Sequence, residues 1–171
     1  DDVESAVCWR QAIERKGKPS CRICSRQNLK RQHRSGEQLA QIKQGGYVLS
    51  DPADGQFKAI LLATGSEVEL AMEASRALAD AGVPVRVVSL PCAEVFDAQP
   101  LEYRESVLPG WCRARVAVEA ALADYWRKYV GLDGEVIGMH SFGASAPGDV
   151  LLEHFGFTVP KVVDAVKRVI G

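Results

Sequence analysis

From Lys58 onward, continuous apolar runs alternate with segments whose apolar positions recur at spacings of three and four. "AILLATG" has no polar face, which is the pattern of a strand in a parallel sheet covered on both sides. Ser66 and Glu69 follow with capping-box spacing. They predict a helix that places Val68, Ala71, Met72, Ser75, Leu78 and Ala79 on one face and stops at Gly82. "VRVVSL" predicts the next strand, "EYRESVL" a short helix, "ARVAVE" a third strand, "ADYWRKYV" a helix closed by Gly131, and "EVIGM" a fourth strand. Pro147 and Pro160 stand where first helical turns begin, giving "GDVLLEHFG" and "KVVDAVKRVI" as the last two helices. Strand and helix in alternation imply an α/β fold: a three-layer open, mainly parallel sheet with helices on both faces.

The first part of the chain is patterned differently. Val3 to Arg15 puts Val3, Ala6, Val7 and Ile13 on one helical stripe, and Gly17 and Pro19 stop it. Ser20 to Cys24 reads as a buried strand, followed by the polar, arginine-bearing pentapeptide "SRQNL", Ser25 to Leu29. Ser35 with Gln38 is a capping box for a short helix through Lys43, ended by Gly45-Gly46. "YVLS" reads as a strand and "DPADGQ" as a turn cluster. The polar composition from Ser25 to about Gln56 separates two groups of core-forming segments, so this stretch is expected to be a structured linker.

Composition narrows the class. The 171 residues are 47% hydrophobic and 25% charged, ordinary for a soluble globular protein with a substantial core. There is no apolar run of about 18 residues and no basic-then-apolar leader, so neither a membrane span nor a signal peptide is expected and a cytoplasmic location follows. The start "DDVESAV" lacks Met and enters an amphipathic pattern directly, as a piece of a longer protein would. The net charge of −1 conceals an asymmetry: residues 1–50 hold ten Lys/Arg against five Asp/Glu, about +5, leaving about −6 beyond. A nucleic-acid arm would interleave such charge with aromatics, a pattern the basic residues do not show here, so the basic part is expected to face anionic substrates or an acidic neighbour. Five cysteines, an odd number in a chain of this size, argue against a disulfide scaffold. Cys21 and Cys24, three apart in the expected strand, read as small packing residues rather than a redox or zinc pair.

The motifs carry little chemistry by themselves. "TGSEVE", Thr64 to Glu69, is a strand-to-helix turn whose free amides suit an anion. It lacks the three glycines of a dinucleotide fingerprint, and Glu67 and Glu69 would repel phosphate. Gly143-Ala144-Ser145-Ala146 approaches a hydrolase elbow until Pro147, but His154, the one later histidine, lies on the helix that would follow. His140, at a strand's C-terminal end, is placed to line a cleft. His33, His140 and His154 have no metal-site spacing, and Trp126 with Tyr125 and Tyr129 reads as core or a subunit contact.

Taken in order, "VESAV.W..AIER…P…SRQNL", "GGYVLSD", "LLATGSEVELAMEAS..LA..G..VRVVSLP", "VFDAQ..EYRESVLP", "RVAVEA..ADYW.KYVGLDG" and "GM.SFG.SAP…L.E.FGFTV" closely resemble the C-terminal portion of the transketolases, over essentially the whole chain. The resemblance implies residues 1–29 as the end of a pyrimidine-binding domain, 30–57 as a linker with a short helix, and 58–171 as the C-terminal α/β domain. It implies a parent enzyme that uses thiamine diphosphate and a divalent metal, Mg or Ca. That parent moves a two-carbon ketol unit between sugar phosphates of the xylulose 5-phosphate and ribose 5-phosphate class, as a homodimer, with no nucleic acid or membrane involved. The metal–diphosphate motif, the activating glutamate and the channel histidines of the family lie upstream of this stretch, so no catalytic, cofactor or metal residue is expected here and the piece alone should be inactive.

One site residue carries over: the arginine of "SRQNL" maps onto Arg26 as the substrate phosphate contact. A planar, permanently charged fork suits a terminal phosphate, and Ser25, Gln27 and Asn28 are expected to shape the turn that aims it. Lys30 stands where a proline commonly follows the motif, and Cys24 where an aliphatic residue is usual. The alternative reading is a doubly wound ligand-binding or regulatory domain with its ligand at "TGSEVE".

Overall fold

The computed structural model describes residues 1–171. Its centre is a five-stranded sheet: β1 (Tyr47–Ser50), β2 (Ala59–Ala63), β3 (Val85–Ser89), β4 (Arg115–Leu122) and β5 (Glu135–Met139), in spatial order β1-β3-β2-β4-β5. All pairings are parallel except β1, which runs antiparallel to β3 at the edge, with Tyr47 opposite Ser89. The "YVLS" strand, read within the linker, is thus hydrogen-bonded into the sheet.

Along β2 the period-2 geometry of a strand sends successive side chains to opposite faces, and both faces are covered. Ala59, Leu61 and Ala63 join a core with α3 (Glu67–Asp80) and α8 (Val159–Ile170), through Val68, Ala71, Ala74, Leu78, Val162, Ala165 and Val166. Ile60 and Leu62 join a second core with Phe96 of α4 (Ala93–Asp97), Val107 of α5 (Leu101–Val107), Trp126, and Tyr129 of α6 (Arg127–Val130). This is the expected three-layer α/β sandwich. Trp126 is in the core, while Tyr125 is 45% exposed. The helix read across "ADYWRKYV" begins as a 3-10 turn, Ala123–Trp126, before α6, and α4 was not anticipated.

The first fifty residues lie against the β1–β3 edge. α1 (Asp2–Glu14) packs the half-buried Val3, Val7 and Cys8 against the first core, but Ala6 is exposed and Ile13 is 75% exposed, so only Val3 and Val7 of the predicted stripe face it. The capping box forms: Ser35 Oγ accepts from Gln38 N at 3.2 Å and Gln38 Oε1 accepts from Ser35 N at 2.9 Å, opening α2 (Gly36–Gln41). Gly45 closes the following 3-10 turn at φ 85°, with Cys92 O and Phe96 N so close that no Cβ fits.

Two expectations fail. Ser20 to Cys24 is not a strand: its neighbour is α1, which Arg22 touches at Ser5 O and Trp9, and no strand pairs with it, so its backbone stays irregular, Ile23 is 96% exposed, and Cys21 and Cys24 are exposed rather than packed. Ser66 caps α3 without a capping box, because its hydroxyl donates to Glu67 Oε1 at 2.7 Å and Glu69 is engaged elsewhere.

Candidate functional site

Two groups of polar residues carry unusual geometry, and the second involves the motifs singled out above. The first lies where the initial segment meets the sheet. The Arg34 side chain is 2% exposed; its Nε donates to Tyr47 Oη at 2.7 Å and its guanidinium donates to Asp1 Oδ2 at 2.7 Å and to the Gln32 carbonyl at 2.9 Å. Glu4 Oε1 accepts from Tyr47 Oη at 2.6 Å and from Ser89 Oγ at 2.5 Å, and lies 3.4 Å from the Arg34 fork. Tyr47 and Ser89 face each other across the β1–β3 pair, so the sheet supplies two donors in register for one buried carboxylate. Burial, with the Glu4 charge beside it, pushes the Tyr47 phenol well up from its ordinary 10.0, so it stays a neutral donor.

The second group joins "SRQNL" to "TGSEVE". Lys30 N donates to Glu69 Oε2 at 3.2 Å, and Lys30 Nζ pairs with Glu69 Oε1 at 2.8 Å and with Glu73 Oε1 at 3.5 Å. The hydrogen bond from Lys30 holds the Glu69 carboxyl below its ordinary range. Gln27 leans on the start of α7 (Gly148–His154): a Cβ on Gly148 would lie 3.1 Å from Gln27 Nε2. Ser25, Gln27, Asn28 and Leu29 line a cleft of about 1100 Å³, together with α1 residues, Thr64 and Gly65 after β2, and Pro91 and Cys92 after β3. Arg26 is not on that wall. It is exposed and enters none of the chain's ion pairs.

The turn at "TGSEVE" is filled by its own carboxylate. Glu67 is 6% exposed, and its Oε2 accepts from Ala120 N at 3.3 Å while Oε1 takes the Ser66 hydroxyl. Burial pushes the Glu67 carboxyl up from its ordinary 4.5. An incoming anion would meet that carboxylate before the helix amides. The other candidates are not brought together: His140 and Ser145 are exposed, and His154 lies at the far end of α7 against Phe155, with ring centroids 4.9 Å apart. No group of three or more His, Cys, Asp and Glu side chains could hold a metal ion. No helix is long and apolar enough to cross a membrane. Sequence reasoning missed the roles of Lys30, Glu69 and Arg34. A signal existed for the first pair: Glu69 and Glu73 stand one helical turn apart, and the basic run "KRQHR" has no acids of its own.

Residues 45–158 match the family model of the transketolase-like C-terminal domain. Over all 171 residues the chain is 57% identical to transketolase 1 of Vibrio vulnificus, and over 170 residues 56% identical to transketolase 1 of Escherichia coli; in each case it spans 26% of the relative's length. Among solved structures, transketolase from Leishmania mexicana superposes with a TM-score of 0.89 at 39% identity over 99% of this chain and 24% of that one. Pichia stipitis transketolase in complex with sedoheptulose-7-phosphate superposes equally, at 0.89 and 34% identity, with the same coverage. A domain model matched over most of the chain, relatives identical at more than half of its positions, and a common fold agree: the chain belongs to the transketolase family and corresponds to its C-terminal portion.

Proposed function

We propose that this chain is the C-terminal quarter of a transketolase that transfers a two-carbon ketol unit from a ketose phosphate to an aldose phosphate, in the cytoplasm and as a homodimer. The observation that carries the reading is the unbroken match to transketolases from the first residue to the last. In this reading, residues 1–29 end the pyrimidine-binding domain, 30–57 link it, and 58–171 form the C-terminal domain. This chain's own residues do not fit a metal–diphosphate group, since they form no metal-ligating cluster and Glu67 fills the turn where a phosphate would sit. Thiamine diphosphate and its metal are therefore assigned to the rest of the enzyme.

What the chain brings to the reaction is the substrate's phosphate anchor. Arg26 is an unspent guanidinium four residues before the Lys30 contacts to α3, and a guanidinium binds a terminal phosphate by two parallel charge-assisted hydrogen bonds. Such a contact is worth about 1.5–3 kcal/mol, roughly ten- to 150-fold in affinity. Solved complexes of the Pichia stipitis enzyme with xylulose-5-phosphate and sedoheptulose-7-phosphate support sugar phosphates as the substrate class. The test is transfer from xylulose 5-phosphate to ribose 5-phosphate by the full-length enzyme, with and without thiamine diphosphate, for wild type and Arg26→Ala. Cofactor-dependent transfer with KM raised at least about tenfold in the variant is expected. An unchanged KM removes Arg26 from the phosphate site, and absence of transfer removes the enzyme assignment.

A further inference from the structure

We propose that Lys30 is a positioning residue for the phosphate arginine, tying the end of the "SRQNL" segment to α3 through Glu69 and Glu73 and thereby setting where Arg26 points. The proposal rests on the reading of Arg26 as the phosphate contact.

The anchor is firm on the α3 side. Val68, Ala71, Ala74 and Leu78 of that helix are 0–4% exposed in the core, so Glu69 and Glu73 project from a fixed element. Both the backbone and the side chain of Lys30 reach them, by three contacts to two carboxylates one turn apart. At the other end, the exposed Gln27 side chain passes near Gly148 at the start of α7 without a hydrogen bond. The segment is thus held by α3 at its Lys30 end, while Arg26, four residues earlier, enters no ion pair.

Residue 30 decides how that hold is made. A proline there restrains the chain by fixing φ, but has no N–H to give Glu69 and no cation to give Glu73. Lysine restrains it by charge-assisted bonds instead. The pair is surface-exposed, with 76% of the Lys30 side chain accessible, so its hold weakens as salt rises. A misplaced arginine still binds, but in a poorer orientation, and the loss falls on substrates that carry the phosphate.

The experiment uses the full-length enzyme and two ketol donors, xylulose 5-phosphate and the phosphate-free hydroxypyruvate, for wild type, Lys30→Met, Lys30→Arg, Arg26→Ala and the Arg26→Ala/Lys30→Met double variant. Lys30→Met is expected to raise KM for xylulose 5-phosphate about three- to tenfold with kcat within about twofold, and to leave KM for hydroxypyruvate unchanged. Lys30→Arg restores the wild-type KM, added salt shrinks the difference between wild type and Lys30→Met, and Lys30→Met has no further effect once Arg26 is gone. The proposal is overturned if Lys30→Met leaves KM for xylulose 5-phosphate unchanged, raises both donors' KM equally, or adds a full further loss to Arg26→Ala. The two readings separate cleanly. If Arg26→Ala raises KM and Lys30→Met does not, only the clamp fails; if Arg26→Ala is itself silent, the phosphate reading fails and takes the clamp with it.

Discussion

Replacing Arg34 by methionine is the sharpest test of how the first fifty residues are joined to the sheet. The side chains of Asp1, Glu4 and Arg34 are 3%, 6% and 2% exposed, and Arg34 is the only cation among them. Methionine fills much of the same volume but leaves the two carboxylates without a counter-charge and takes a donor from Tyr47. Removing one partner of a buried ionic cluster costs about 3–5 kcal/mol, because the charges left behind keep their desolvation penalty. Set against the roughly 5–15 kcal/mol that holds a typical domain together, this is a large fraction. For 171 residues it corresponds to a fall in Tm of about 8–14 °C. The assay is urea denaturation of the chain followed by tryptophan fluorescence and by far-UV circular dichroism, whose coincidence tests for a single transition. The midpoint should fall with the m-value unchanged. Arg34→Lys keeps the charge but loses the fork, and should fall between the two. Arg10→Met, which breaks the exposed Arg10–Glu14 pair, should not measurably move the midpoint. A loss below about 1 kcal/mol for Arg34→Met, the range of a solvated pair, would show that water reaches the carboxylates and refute the reasoning.

Two further outcomes follow from particular contacts. Burial raises the Glu67 carboxyl above 4.5, so the folded chain keeps this proton where the unfolded chain has released it; the associated stability is fully present below about pH 4.5 and is lost as pH rises through the folded value. Glu67→Gln should therefore match wild type in Tm near pH 4 and exceed it near pH 7, and a difference that does not change with pH would contradict the assignment. Gly45→Ala meets both a φ of 85° and a Cβ blocked by Cys92 O and Phe96 N, so denaturation should show a loss of at least about 2 kcal/mol, and a loss under about 0.5 kcal/mol would mean that the turn readjusts.

The parts of the fold legible in the sequence are those whose cause is local. β2 has five consecutive buried apolar residues, and no structure other than a strand covered on both faces accounts for that run between two turns. Ser35 and Gln38 find each other across one helical turn, so the capping box could be read and is present. Ser66 and Glu69 have the same spacing and do not form one, because Lys30, distant in sequence, takes Glu69. Ser20 to Cys24 also reads as a buried strand, yet a strand is a property of a pair: without a neighbouring strand to take its N–H and C=O groups, the segment has no ladder to join. Arg34 was hidden for a related reason, since a lone arginine in a basic run carries no sign that three elements will close over it.

The glutamates of "TGSEVE" decide between the two readings of this domain. A strand-to-helix turn at the C-terminal edge of a parallel sheet is where such folds take anionic ligands, through amides left free by the first helical turn. Here Glu67 turns inward to Ala120 N and Glu69 turns outward to Lys30, so the negative charge that favours a helix N-terminus is supplied from within the chain. A turn filled in this way does not need a ligand, and that weighs against a regulatory site there. It also gives the carboxylates different work: Glu67 joins α3 to β4, and Glu69 joins α3 to the end of the segment that carries Arg26. If Arg26 holds the substrate phosphate as proposed, the sandwich bears on substrate binding through α3, because the helix that completes its core also holds the end of the segment from which Arg26 projects.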